Sequence, residues 1–232
     1  MKIIFVRHGQ TQTNLKGEYY GLDDSINILN KTGEEQAIET GKYLNKLYKF
    51  DLIISSSKLR AIQTAELIAK QVNYKKEIIK NNLIMELDVL EKYTGNKNQD
   101  DIKKIFNLWQ KKLNNEKDPF KYINLLNKQQ IYFCKKFSGI NYYDYLNDLN
   151  KFLNQLKKLK NKCVLVVSHG RIMNHLEHLI TNTEDTVKFI PYNSKEITGG
   201  NCNIMMCLLD NNKFKLVMPR NSNHLININN KN

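Results

Sequence analysis

Two short stretches carry residue types that could do chemistry together. Arg7-His8-Gly9 follows the apolar run Ile3-Ile4-Phe5-Val6, and Ser168-His169-Gly170 follows Val164-Leu165-Val166-Val167. Arginine offers an oxyanion a planar fork of donors, and glycine lets backbone N–H groups approach it closely. Histidine can be a nucleophile or a proton carrier. The set suits a bound anion with a reactive imidazole beside it.

Positioning these residues needs strands. Both apolar runs are short and β-rich, so each reads as a buried strand delivering its histidine into a turn at the carboxyl end, where open α/β sheets bind ligands. If the two strands are parallel neighbours, His8 and His169 face each other. A core or surface histidine after a strand is the plain alternative for either one alone. Its repetition, with Arg7 beside one copy, argues against that, and the remaining three of five histidines (His175, His178, His224) lack this context.

The 232 residues suffice for one well-buried α/β domain, and 41% hydrophobic with 25% charged residues is ordinary for a globular protein. No apolar run reaches membrane-span length, and the opening strand leaves no room for a secretory segment, so a cytoplasmic protein with no membrane partner is expected. The four cysteines show no metal-ligand spacing and read as buried thiols. A net charge of +13 raises the question of nucleic acid. The excess is lysine mixed with asparagine on helical faces, with no binding motif, so no nucleic-acid partner is expected. Only four of the 36 basic residues are arginine (Arg7, Arg60, Arg171, Arg220), so each retained arginine hints that its planar fork matters.

In chain order, residues 10–29 read as a loop over the site, with Gly17, Gly21 and Asp23-Asp24. Thr32 and Glu35 suggest a capping box opening a helix that runs to about Tyr48. Asp51 to Ile54 reads as a strand ending in Ser55-Ser56-Ser57, and Arg60 then falls in the first turn of the next helix, a second anion-binding element. Glu86 and Asp88 lie in an apolar stretch. Residues 93–140 are polar and lysine-rich with helical spacing, and read as an inserted helical cap. Tyr142, Tyr145, Leu149, Phe152 and Leu156 mark a helix that packs on the sheet. Asn203 to Leu209 and Lys213 to Met218 form a hairpin across Asp210-Asn211-Asn212, and the tail over 221–232 is expected to fray. The alternation predicts an α/β fold in a single domain. Its three layers are helix, sheet and helix, around a mostly parallel central sheet with a small helical cap.

With these residues in hand the sequence resembles the phosphoglycerate-mutase-like branch of the histidine phosphatase superfamily. Arg7-His8-Gly9-Gln10-Thr11 with Asn14 matches its opening signature. Leu29 to Gly33 with Gln36-Ala37 matches its first helix start, and Ser55-Ser56 with Arg60-Ala61 and Gln63-Thr64-Ala65 its second. Ser168-His169-Gly170 matches the second histidine and Gly200-Asn201 the late asparagine turn. The resemblance implies that His8 carries a phosphohistidine. It further implies that Arg7, Arg60 and His169 clamp the phosphoryl oxygens with Asn14 and backbone N–H groups assisting, and that Glu86 is the acid and base. Gly21, Gly170 and Arg171 are further candidates for the substrate site. Asp88 stays an alternative to Glu86, and Arg171 reads either as a reader of a second anion or as a solvent-facing helix start. No metal is implied.

The mutases follow the acid with an Arg-His-Tyr-Gly run and place an arginine pair after the cap tryptophan. Here those places hold Leu87-Asp88-Val89-Leu90 and, after Trp109, Gln110-Lys111-Lys112. A phosphatase of small phosphorylated metabolites, needing no cofactor, is therefore expected ahead of a mutase primed by a bisphosphoglycerate. A non-catalytic phosphate- or phosphoprotein-binding module is the rival from another class, and a homodimer is left open.

Overall fold

The computed structural model describes residues 1–16, 24–87, 99–138, 140–181 and 200–229. Among these, six strands form one sheet in the order β3-β2-β4-β1-β5-β6. They are β1 (Lys2–Arg7), β2 (Leu52–Ser56), β3 (Ile79–Asn81), β4 (Cys163–Ser168), β5 (Ile204–Asp210) and β6 (Lys213–Asn221). The first four run parallel, and β5 and β6 add an antiparallel hairpin at one side. Asn211 and Asn212 both adopt positive φ (47° and 59°), which a two-residue hairpin turn requires and asparagine tolerates. The α/β fold expected from the alternation is the fold observed, with the C-terminal hairpin making the sheet mixed.

Strands β1 and β4 are apolar on both sides because both sheet faces are covered. On one face, Ile4, Val6, Leu165 and Val167 pack against α2 (Lys31–Asn45) and α3 (Leu59–Gln71) through Leu44, Ala61, Ala65 and Ile68. On the other, Ile3, Phe5, Val164 and Val166 pack with Leu149, Phe152 and Leu156 of α6 (Tyr142–Lys157) and with Ile172, Met173 and Leu176 of α7 (Gly170–Thr181). The cap helices α4 (Gln99–Asn115) and α5 (Pro119–Phe133), with a π-helical turn over Cys134–Ser138, send Ile102, Phe133, Cys134 and Phe137 into this same cluster.

Three local expectations change. The N-cap of α2 is Asn30, not Thr32. Its side chain accepts from Gly33 N at 2.8 Å while its own N–H is held by Gln10 O at 3.0 Å, which starts the helix earlier. The stretch after His8 is not all loop, since a short helix α1 (Gln12–Lys16) follows the turn. The tail does not fray over its described part. Residues Asn223–Leu225 make a 3₁₀ turn and Ile226–Asn229 a last helical turn, α8. Leu225 is buried against Ala37 and Cys202, and the His224 ring bonds Thr40 Oγ1 at 2.9 Å. A buried leucine and a side-chain anchor outweigh the polar composition that suggested fraying. Each of the four cysteines is a buried thiol. No helix among the described residues is long and apolar enough to cross a membrane.

Candidate active site

The β1–β4 register pairs Arg7 with Ser168, so the next residues, His8 and His169, leave the sheet side by side. His8 N donates to Ser168 O at 2.9 Å, and the two imidazole centroids lie 5.2 Å apart with the rings inclined by 60°. Both rings are buried. His8 Nδ1 lies 2.8 Å from Gly9 O. A carbonyl only accepts, so Nδ1 carries the proton and the Nε2 lone pair is left for another partner. That partner is Arg60, the second residue of α3, whose Nε donates to His8 Nε2 at 3.4 Å. Burial, then Arg60, then Arg7 hold His8 well below the ordinary histidine value of 6.5, with the Gly9 carbonyl opposing them. Burial, then Arg60, His8, Arg7 and Lys58 do the same for His169. Both rings are therefore neutral near pH 7. His169 Nε2 meets Ser56 Oγ at 2.8 Å, and its Nδ1 is buried with no partner among the described residues.

The turn carrying His8 is held from two helices at once. A Cβ at Gly9 would come within 2.4 Å of Gly33 O, and one at Gly33 within 2.0 Å of Gln10 O, so the strand end and the α2 N-terminus approach as only glycines permit. Gly9 N donates to Thr64 Oγ1 at 3.0 Å and Gln10 N to Gln36 Oε1 at 3.0 Å. Asn30 Nδ2 donates to Gln10 Oε1 at 2.9 Å, and Leu29 N to Gln63 Oε1 at 3.0 Å. The amides and hydroxyls that made the sequence pattern recognisable thus serve as the braces of one turn.

Asp24 was not singled out from the sequence. Its Oδ2 accepts from Leu59 N at 2.7 Å at the start of α3, and its Oδ1 lies 3.3 Å from Arg60 Nη1, so it orients that guanidinium. Asn14 is exposed and one step removed from the histidine pair. Its Oδ1 accepts from Asn201 Nδ2 at 3.0 Å, and the same Asn201 nitrogen lies 3.1 Å from His8 O. Gly21 and Asp88 lie outside the described residues.

Arg7, Glu86, Gly170 and Arg171 share a cavity of about 220 Å³ roofed by α4 and α5. The Glu86 segment is fastened to the β4–α7 junction on both sides. Ser168 Oγ donates to Ile84 O at 2.8 Å, and Arg171 Nη1 donates to Leu87 O at 2.5 Å. Arg171 therefore faces the cavity with one nitrogen on a backbone carbonyl, and is not a solvent-facing helix start. Arg220 also lines the cavity, its Nε 2.8 Å from Glu177 Oε2 in a buried pair. Three of the chain's four arginines thus line one cavity, and the fourth, Arg60, reaches the His8 ring. Scarcity marks Arg220 along with the other three, but the sequence gives it no place in the site.

With this geometry established, comparison with known proteins is direct. The profile of the histidine phosphatase superfamily (branch 1) matches residues 3–221. The chain belongs to that superfamily. A phosphatase of Bacillus subtilis described as the uncharacterized phosphatase PhoE is 46% identical over 66 residues, 28% of this chain and 33% of that protein. The chain thus aligns with about a third of the length of this curated relative. Among solved structures, a phosphoglycerate mutase from Bacillus anthracis superposes with a TM-score of 0.69 at 16% identity, covering 99% of this chain and 96% of that one. A phosphoserine phosphatase from Entamoeba histolytica gives 0.66 at 23% identity, covering 97% and 99%. At these identities the structural likeness speaks to the fold.

Proposed function

We propose that the protein is a metal-independent phosphomonoesterase of small phosphorylated metabolites, working in the cytoplasm through a phosphohistidine on His8. The observation that carries this reading is the state of the His8 ring. It is neutral, pinned at Nδ1 by a backbone carbonyl, and presents its Nε2 lone pair toward the Arg60 guanidinium. A neutral imidazole fixed in one tautomer is a competent nucleophile, and a guanidinium beside the attacking atom meets the charge of a transferring phosphoryl group.

In the first step the His8 Nε2 lone pair forms the N–P bond while the bond from phosphorus to the leaving oxygen breaks. Glu86 supplies the proton that oxygen takes. In the second step water forms a new P–O bond, the N–P bond breaks, Glu86 receives the water's proton, and inorganic phosphate leaves. Arg7, Arg60 and His169 hold the phosphoryl oxygens, and the arginines supply the positive charge a metal would otherwise bring. Asn14 acts through Asn201 on the His8 turn.

Phosphate release from an aryl phosphate and a panel of metabolite phosphates, in EDTA, with wild type beside His8→Ala, tests the reading. Turnover that survives EDTA and is lost in His8→Ala supports it, as does acid-labile phosphate on the wild-type protein. Isomerisation of phosphoglycerate only when a bisphosphate is added would replace it by mutase chemistry. Tight phosphate binding without turnover would replace it by the binding module.

A further inference from the structure

Behind Glu86 the cavity is lined from α5 by Gln129 and Gln130, which are only 2% and 7% exposed. Gln130 Nε2 lies 3.4 Å from Gln129 Oε1, which leaves Gln129 Nε2 and Gln130 Oε1 without a partner among the described residues. Reversing both amides leaves the same functions over, one donor and one acceptor. Asn174 Oδ1, on the α7 side of the same cavity, is likewise buried and without a partner among those residues. Buried polar atoms are ordinarily satisfied, because an orphan loses its water and gains nothing. A donor and two acceptors orphaned around one cavity call for a ligand able both to donate and to accept.

The charges narrow that ligand. Arg220 is paired with Glu177, Arg171 donates to the Leu87 carbonyl, and Glu86 stands in the same cavity. A second anion there would find both arginines already engaged, Arg220 by a carboxylate and Arg171 by a backbone carbonyl. Phe106, Tyr122 and Leu126 supply an apolar wall for a carbon skeleton. At about 220 Å³ the cavity is smaller than the roughly 300–1,000 Å³ of sites for drug-sized ligands.

We propose that this cavity binds the leaving group of the phosphomonoester and that this group is a small uncharged polyol or sugar fragment, its hydroxyls read by Gln129, Gln130 and Asn174. The proposal rests on the phosphatase reading above and deepens it. A hydroxyl satisfies the orphan donor and an orphan acceptor at once, whereas an alkyl chain leaves both unmet and a carboxylate satisfies only the donor.

The test compares propyl phosphate, glycerol 1-phosphate and 3-phosphoglycerate, which share a carbon length. Wild type is expected to favour glycerol 1-phosphate over propyl phosphate by about 100-fold in kcat/KM, since a site built for hydroxyls rejects analogues lacking them. It should favour glycerol 1-phosphate over 3-phosphoglycerate by about tenfold. In Gln129→Met and Gln130→Met, checked for folding by melting, the first ratio should shrink by about tenfold or more. A wild-type ratio near one, or a preference for the propyl or glycerate compound, overturns the proposal, as does an unchanged ratio in the folded variants. If no compound turns over, it is the phosphatase reading that fails. Calorimetric titration of His8→Ala with the same three compounds then decides the cavity. Tighter binding of glycerol 1-phosphate supports it, and equal or absent binding overturns it.

Discussion

At the ends of β1 and β4, Gly9 N, Gln10 N and the His8 ring each meet a partner from α2, α3 or the turn itself, whereas in the cavity under α5 the Gln129 and Gln130 amides keep orphaned atoms. The first region is a brace and the second a receptacle. A group that is the same in every phosphomonoester is best met by donors already fixed in place, because no reorganisation is then required as charge develops. The leaving group is what differs between substrates, and the proposal sets it among residues of α4, α5 and α7.

Substitutions can break this comparison, beginning with the largest effect. His8→Ala should lower turnover roughly 10⁴-fold or more on every phosphomonoester, measured as phosphate release, because losing a nucleophile disables the whole sequence of steps. Glu86→Gln should cost about 10²–10⁴-fold on alkyl phosphates and far less on an aryl phosphate, whose leaving oxygen needs little help from a proton. Equal losses on both would deny Glu86 the role of acid. Arg60→Ala should cost about 10²–10³-fold, with Arg60→Lys recovering little because the fork is gone. Among charges, Arg60 is the strongest depressor of His8, so its loss should also move the acid limb of kcat/KM upward, toward the ordinary 6.5.

Smaller effects sharpen the boundary between the two regions. Arg171→Ala unfastens Leu87 and should lower kcat about tenfold with KM less affected, because Glu86 then wanders from the leaving oxygen. A loss carried by KM alone would make Arg171 a binding group instead. The smallest effect lies behind the brace, where the tail docks on α2. Burial lowers the His224 pKa to about 4 from the ordinary 6.5, so below 6.5 the unfolded chain takes up a proton that the folded chain refuses. The stability present above pH 6.5 is lost as the pH falls toward about 4. The melting temperature should fall across that window, and less so in His224→Gln, which keeps a partner for Thr40 without the titration.

Much of the brace was legible in the chain because its causes are local. A β-rich apolar run of four residues ending in His-Gly reads as a strand and a turn from its own composition, and the glycines, glutamines and threonine that hold the turn come as compact patterns. Thr32 and Asn30 both suit the role of α2 cap, and Gln10, 20 positions from Asn30, decides between them. The sequence gives Asp24 and Arg220 no site role for a similar reason. Each matters through a partner distant in sequence, Arg60 in one case and Glu177 in the other.

The α/β alternation, the two strand-borne histidines and the scarce arginines are legible in the chain because hydrophobic period and side-chain chemistry are properties of short segments. Which of His8's nitrogens is presented, that Arg7, Arg171 and Arg220 line one cavity, and that two neighbouring glutamines of α5 face it with amide atoms unmet among the described residues are all matters of tertiary structure. Those depend on strand register and on helix packing across the sheet, which set distances and burial between residues that the linear order leaves far apart.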